Sequence, residues 1–260
     1  MNWIPDQVRN KEVMGVSPGV GLHRPAILRS GARAGLKTWQ QSPLLGFRFA
    51  ATQLTGQMTM NLADKERLLS KFNGNPPMNV SFIRKLESDS GLCLPDNYVR
   101  FLQQTDGGEG FIGNAYLILW RVGDLIEMNK AYQVADYAPG LFLFGSDGGD
   151  EAFAFDMRTE SKFIVSVPFV GMELELIQPL GATFNAFLET LFEFRMMPHP
   201  NDIRKNHVQD CANKEIFEIQ PVILGGSPTD PRNKAVLTRK QHIEAVRYWN
   251  NVILQIKNSK

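Results

Sequence analysis

The chain has 260 residues, 43% hydrophobic and 21% charged, with a formal net charge of +1, the composition of an ordinary globular protein able to bury one good core. No apolar run approaches the ~20 residues that span a bilayer, and Met1 to Asn10 has polar breaks where a secretory signal has an apolar centre. Both features argue against a membrane protein and against an exported one.

Charge is unevenly placed. Residues 1–57 hold seven Lys or Arg against Asp6 and Glu12, a net +5, which leaves the remainder at −4. A mildly acidic body argues against general nucleic-acid binding by the folded part. In the basic segment, "SPGVGLHRPAILRSGARAGLKTWQQSP" carries no apolar period and is broken repeatedly by Gly and Pro, so it is expected to be mostly disordered. An organelle transit peptide, a basic arm and an extension upstream of the real start all suit it. The last is preferred, because Met58 and Met60 stand just before "NLADKERLLSKF", where globular patterning begins.

From there the elements follow in order. "VSFIRKLESDSG" predicts a helix on Val80, Phe82, Ile83 and Leu86, stopped by Gly91. "LPDNYVRFLQQTDGG" predicts a second, with Pro95 in its first turn, Leu94, Tyr98, Phe101 and Leu102 on one face, and Gly107 as a left-handed cap. "AYLILW" predicts a strand over 116–120. "VGDLIEMNKAYQV" returns to helical period through Val122, Leu125, Ile126 and Asn129. In "LFLFGSDGGDEAFAFD", Phe142 and Phe144 alternate with Leu141 and Leu143, and Phe153 and Phe155 with Ala152 and Ala154, which predicts a hairpin at the centre of a sheet, covered on both faces.

"SKFIVSVPFV" and "ELELIQPLG" predict further strands, the latter ending near Gly181. "ATFNAFLETLFEF" is the clearest helix, with Phe184, Phe187, Leu188, Leu191 and Phe192 along one stripe. "RMMPHPNDIRKNHVQDCANK" reads as a linker. "EIFEIQPVILGG" is expected to form strand around Ile216–Ile219 and Val222–Leu224, "SPTDPRNKAV" a loop. A last helix starts at a capping box of Thr238 and Gln241 and aligns Ile243, Val246, Trp249, Ile253 and Ile256. The domain organisation expected is an N-terminal extension 1–57, a main domain 58–195, a linker 196–213 and a strand-loop-helix extension 214–260 packed on the main domain.

The segment GSDGGD, Gly145 to Asp150, could hold a phosphate or a metal. A P-loop needs a Lys and a helix after its glycines, and here Glu151 and a strand follow; the acids also miss EF-hand spacing. A turn is the expected reading, because Gly, Ser and Asp supply the positive φ values and local hydrogen bonds of a tight reversal. Ser146 lacks the glycine two positions earlier that a nucleophile elbow requires. His23, His199, His207 and His242 form no ligand spacing, and Cys93 and Cys211 form no CxxC pair and are expected to be reduced. Acidic pairs such as Glu173 with Glu175 or Asp147 with Asp150 suit acid–base work across a sugar bond only if a pocket encloses them. No metal or cofactor is expected.

Four pieces in order, "LPDNYVRFLQQTDGGEGFIG", "AYLILWRVGDLIEMN", "YAPGLFLFGSDGGDEAFAFDMR" and "IVSVPFVGMELELIQPLGATFNAFLETL", resemble the SUKH superfamily of the SMI and KNR type over roughly Met78 to Phe192. The tail from Pro221 looks like an extension found in some members. The resemblance implies an α+β domain with a twisted, mainly antiparallel sheet flanked by helices, and no catalytic residues. It implies an immunity protein that binds a cognate toxin domain, often a nuclease, in the bacterial cytoplasm, or, as in fungal members, a regulator of cell-wall synthesis acting through protein contacts. On that reading the partner meets exposed acids near the loops: Asp106, Glu109, Asp147, Asp150, Glu151, Glu173 and Glu175. A small hydrolase using the paired acids is the alternative of another class.

Overall fold

A computed structural model describes residues 62–193 and 211–259. The basic segment 1–57, most of the expected linker, and His23, His199 and His207 lie outside the described residues. In chain order the elements are α1 (Leu62–Leu69), β1 (Lys71–Gly74), α2 (Val80–Ser90), α3 (Asp96–Leu102), β2 (Gly108–Ile112), β3 (Ala115–Leu119), α4 (Leu125–Ala131), α5 (Val134–Tyr137), β4 (Leu141–Ser146), β5 (Glu151–Asp156), β6 (Ile164–Pro168), β7 (Gln178–Gly181), α6 (Phe184–Glu193), β8 (Lys214–Glu218), β9 (Lys234–Thr238) and α7 (Arg239–Asn258). Strands β1 to β7 form one antiparallel sheet in chain order, while β8 and β9 make a separate ribbon. The fold class is therefore α+β, an antiparallel sheet flanked by helices.

Helices α2 and α7 begin where their caps place them. Asn79 accepts from the Ser81 amide at 2.8 Å, and Gly91 ends α2 at φ 69°. Thr238 and Gln241 form the reciprocal capping box of α7. Strands β1 and β2 went unpredicted, since "GEGFI" reads as a loop. Its glycines are there for close approach: a Cβ on Gly108 would lie 2.3 Å from the Asn73 carbonyl oxygen, and one on Gly110 2.2 Å from that of Lys71. Any side chain would push β1 off the sheet. The expected strand at Val222–Leu224 is instead a short 3-10 helix closed by Gly225 at φ 88°, and the expected loop before α7 contains β9.

The central hairpin holds the core. Tyr98 of α3 and Phe184 and Phe187 of α6 meet Phe144, Phe153 and Phe155, and Phe101 of α3 packs on Phe184, with ring centroids 4.4 Å apart for Phe144 and Phe155 and 5.0 Å for Tyr98 and Phe184. Offset and tilted ring pairs of this kind add to area burial. The expected alternation breaks at one point. The register passes from Leu143↔Ala154 to Gly145↔Phe153 and Ser146↔Ala152, leaving Phe144 as a bulge residue. Directly opposed residues share a face, so the bulge keeps Phe144 with the rings and turns Ser146 to the opposite face, beside Ala152. Gly145 permits it, because a Cβ there would sit 2.2 Å from the Ile118 carbonyl oxygen.

Strand β3 pairs with β4 only at Ile118↔Ser146 and Leu119↔Gly145. Earlier in β4 the side chain of Asn129 takes over as a strand would. Its amide donates to the Leu143 carbonyl and its oxygen accepts from the Leu143 amide, both at 2.8 Å. The backbone of a central strand is thus satisfied there without a second neighbouring strand.

Candidate functional site

GSDGGD is a turn. Asp147 Oδ1 accepts from the amides of Gly149 at 2.8 Å and Glu151 at 3.1 Å, and the Asp147 amide donates to the Glu151 carbonyl. Its acidic tip is not exposed, however, because the C-terminal unit lies against it. The Ile216 amide on β8 donates to the Gly148 carbonyl at 2.8 Å, and the buried Glu215 accepts from Ser146 Oγ at 3.2 Å. The bulge that turned Ser146 away from the rings supplies this contact.

The rest of the seam is built by α7, which sets two polar side chains among apolar ones. Asn250 Oδ1 accepts from the Gly171 amide at 2.7 Å and its Nδ2 donates to the Phe169 carbonyl at 3.0 Å. His242 Nδ1 lies 2.8 Å from the Tyr132 hydroxyl, among the rings of Phe169 and Phe217. The buried stripe of α7 is His242, Ala245, Val246, Trp249, Asn250 and Ile253. Ile243 and Ile256, expected on that stripe, are only half-buried. The helix is rotated toward its polar residues because the seam they meet is made of backbone amides, carbonyls and a tyrosine hydroxyl, which must be paired when buried.

The seven acids expected at a partner surface therefore separate. Asp106 and Asp147 are buried, which corrects the expectation that they are exposed. Asp106 accepts from the Val122 amide at 2.8 Å and holds the start of the α4 region, and burial, the largest influence, pushes its carboxyl up from the usual range. Glu109 on β2 accepts from the Asn213 amide at 3.0 Å, so it receives the chain just before β8. Asp150 and Glu151 are half-buried, Asp150 facing Lys234 of the ribbon. Burial, then the charge of Glu218, hold Asp150 well above the usual carboxylate range, against the pull of Lys234. Burial, then Asp147, push Glu151 up to about 8, against a hydrogen bond from Ser166. Glu173 pairs with Lys257 of α7, and Glu175 alone of the seven is exposed.

The connection that carries Glu173 and Glu175, the 222–224 turn and the end of α7 also carry exposed apolar side chains. Leu176, Val222, Ile223 and Leu254 are each about two-fifths to one-half exposed (39%, 49%, 40% and 47%). Gly171 brings the connection to the turn and to α7: a Cβ there would lie 3.2 Å from Ile223 Cδ1 and 3.7 Å from Ile253 Cδ1. The contact residues Glu215, Glu218, Lys234 and Asn250 were not singled out in the sequence. Charged or amide residues in strands and helices carry no signal of burial until a partner element is known.

Among the described residues, no three His, Cys, Asp or Glu side chains are grouped so as to hold a metal ion. Cys93 is exposed, Cys211 is buried, and neither is in a disulfide. No helix among the described residues is long and apolar enough to cross a membrane.

Fold and seam together define an α+β domain whose acidic turn is structural. Residues 77–190 match the SMI1 / KNR4 family (SUKH-1), and this segment is a domain of the SUKH type. The match runs from the entry to α2 into α6 and leaves out β1 and the C-terminal unit. The superfamily includes immunity proteins, acts through protein partners and is generally non-enzymatic. No curated protein matches the chain.

Proposed function

We propose that the protein is a non-enzymatic immunity protein that binds and neutralises a cognate toxin domain inside a bacterial cell. The observation that carries this reading is the match of residues 77–190 to the SUKH family model. A basic nuclease is the partner class that suits a body of net charge −4 outside the first 57 residues, since opposite potentials speed association and sharpen specificity. The contact surface assigned on this reading is the β6–β7 connection with the 222–224 turn and the end of α7. These elements expose apolar Leu176, Val222, Ile223 and Leu254 and carry the acids Glu173 and Glu175, the residue types that a protein interface with an acidic rim uses.

The test is inhibition. The tagged chain is used to isolate its partner from the native cell, and the purified partner is assayed with and without the chain. Stoichiometric loss of the partner's toxic activity is expected, with association slowed about tenfold or more by Glu173→Lys with Glu175→Lys at low salt. A partner whose activity the chain leaves untouched would instead favour the second reading, a regulatory scaffold of the cell-wall-synthesis type. A chain that binds no partner refutes both.

A further inference from the structure

The chain has two cysteines, and their surroundings differ. Cys211 is buried, whereas Cys93 is exposed in the 91–95 loop between α2 and α3. An amine from a distant part of the chain meets its thiol there. Lys162, half-buried in the turn between β5 and β6, sets Nζ 3.1 Å from Cys93 Sγ and 3.0 Å from the Cys93 carbonyl oxygen. Among the described residues it pairs with no carboxylate. Both ends of the contact are anchored. The Leu94 amide donates to the buried Glu87 of α2 at 2.7 Å and the Leu94 side chain is buried, which fixes the loop on its helix. The Asp156 amide donates to the Phe163 carbonyl at 2.8 Å, and both Asp156 carboxylate oxygens accept from Arg158, which fixes the turn. Sulfur and nitrogen are thus held at the separation of about 3–3.5 Å from which positioned groups react.

We propose that Cys93 and Lys162 are a modification site, at which a peroxide oxidant closes a sulfenamide cross-link between the α2–α3 loop and the β5–β6 turn. In the first step the Cys93 thiolate attacks one oxygen of hydrogen peroxide. The O–O bond breaks, hydroxide leaves and combines with the thiol's proton as water, and sulfur becomes a sulfenic acid. A sulfenic acid condenses with a neighbouring thiol or nitrogen. The chain's other thiol, on Cys211, is buried, and the nitrogen in place is Lys162 Nζ. As the free amine it attacks Sγ, the S–N bond forms, the S–O bond breaks, and the departing oxygen leaves as water with the proton that nitrogen loses. Sulfur has given up two electrons, peroxide has gained them, and thiol, amine and peroxide have become one sulfenamide and two waters. The link joins residues whose loops otherwise meet only through this polar contact and their shared packing on the domain.

Mass spectrometry of the full chain, reduced and then treated with hydrogen peroxide, tests this on tryptic peptides. The peptide carrying Cys93 is expected joined to the one carrying Lys162, the pair about 2 Da lighter than its two parts, with tryptic cleavage after Lys162 blocked. Dithiothreitol should restore both peptides, because its thiolate attacks Sγ, breaks the S–N bond and ends as the cyclic disulfide. Lys162→Arg is expected to form no link and to take oxygen on Cys93 instead, about 32 Da heavier as the sulfinic acid. Cys93→Ser should show neither change. Neither side chain belongs to the core, so both variants keep the fold. Oxygen held on wild-type Cys93 without the link, a disulfide joining two chains through Cys93, or a thiol that peroxide leaves unchanged would each overturn the cross-link. So would a loss of about 2 Da that persists in Lys162→Arg, which would place the bond on a backbone nitrogen.

Discussion

The central hairpin β4–β5 meets two different environments. Its ring face is almost purely apolar, with Phe144, Phe153 and Phe155 against Tyr98, Phe184 and Phe187. Its other end, at Ser146 and the following turn, is met by a seam of hydrogen bonds and ion pairs from β8, β9 and α7. The first kind of contact is non-directional and tolerates rearrangement. The second holds only in one register, because each buried donor or acceptor left without its partner costs about 1–3 kcal/mol. Apolar packing therefore makes the sheet domain stable, and the polar seam decides where the C-terminal unit sits.

Cutting into the ring face should do the most damage. Phe155→Ala is expected to lower the free energy of unfolding by about 3–5 kcal/mol in denaturant titrations, because it empties a fully buried site between the rings of Tyr98 and Phe144. The bulge links the two environments, so Gly145→Ala should cost about 2–4 kcal/mol by forcing β3 from β4, and it should weaken protection of the Ile216 amide as well. At the seam, Asn250→Leu removes both partners of Gly171 and Phe169 at once; about 2–3 kcal/mol is expected. That loss should appear first as exchange and proteolysis in 214–259, ahead of the β4–β6 core. A ring-face variant that loosened only the C-terminal unit would break the comparison. Smallest of all, Glu175→Lys on the exposed connection should change stability by no more than about 0.5 kcal/mol. Its effect should fall on partner association alone.

Residue type limited what could be foreseen. The rings of α3, α6 and the hairpin announced themselves through period, since a phenylalanine stripe has no other home than a core. GSDGGD announced a turn through its own local chemistry. Its acids were expected to be exposed because acids are usually solvated, and nothing near them in the chain indicates the ribbon that covers them. Glu215, Glu218 and Lys234 supply that cover from more than sixty residues away. Strands β1 and β2 were hidden for a related reason: glycines that locally mean flexibility serve here to let two backbones approach.

What the sequence by itself determined is the set of local commitments: helix caps at Asn79 and Thr238, the alternation of the hairpin, the aromatic stripe of α6, and the ordered pieces that mark a SUKH domain. Backbone geometry and side-chain period act over a few residues, so they can be read without a partner in view. Tertiary structure alone decided the bulge at Phe144, the rotation of α7 toward His242 and Asn250, and the burial of the acidic turn beneath the ribbon. Each of these settles which distant group satisfies a buried polar atom, and that depends on proximity in space, which no local pattern encodes.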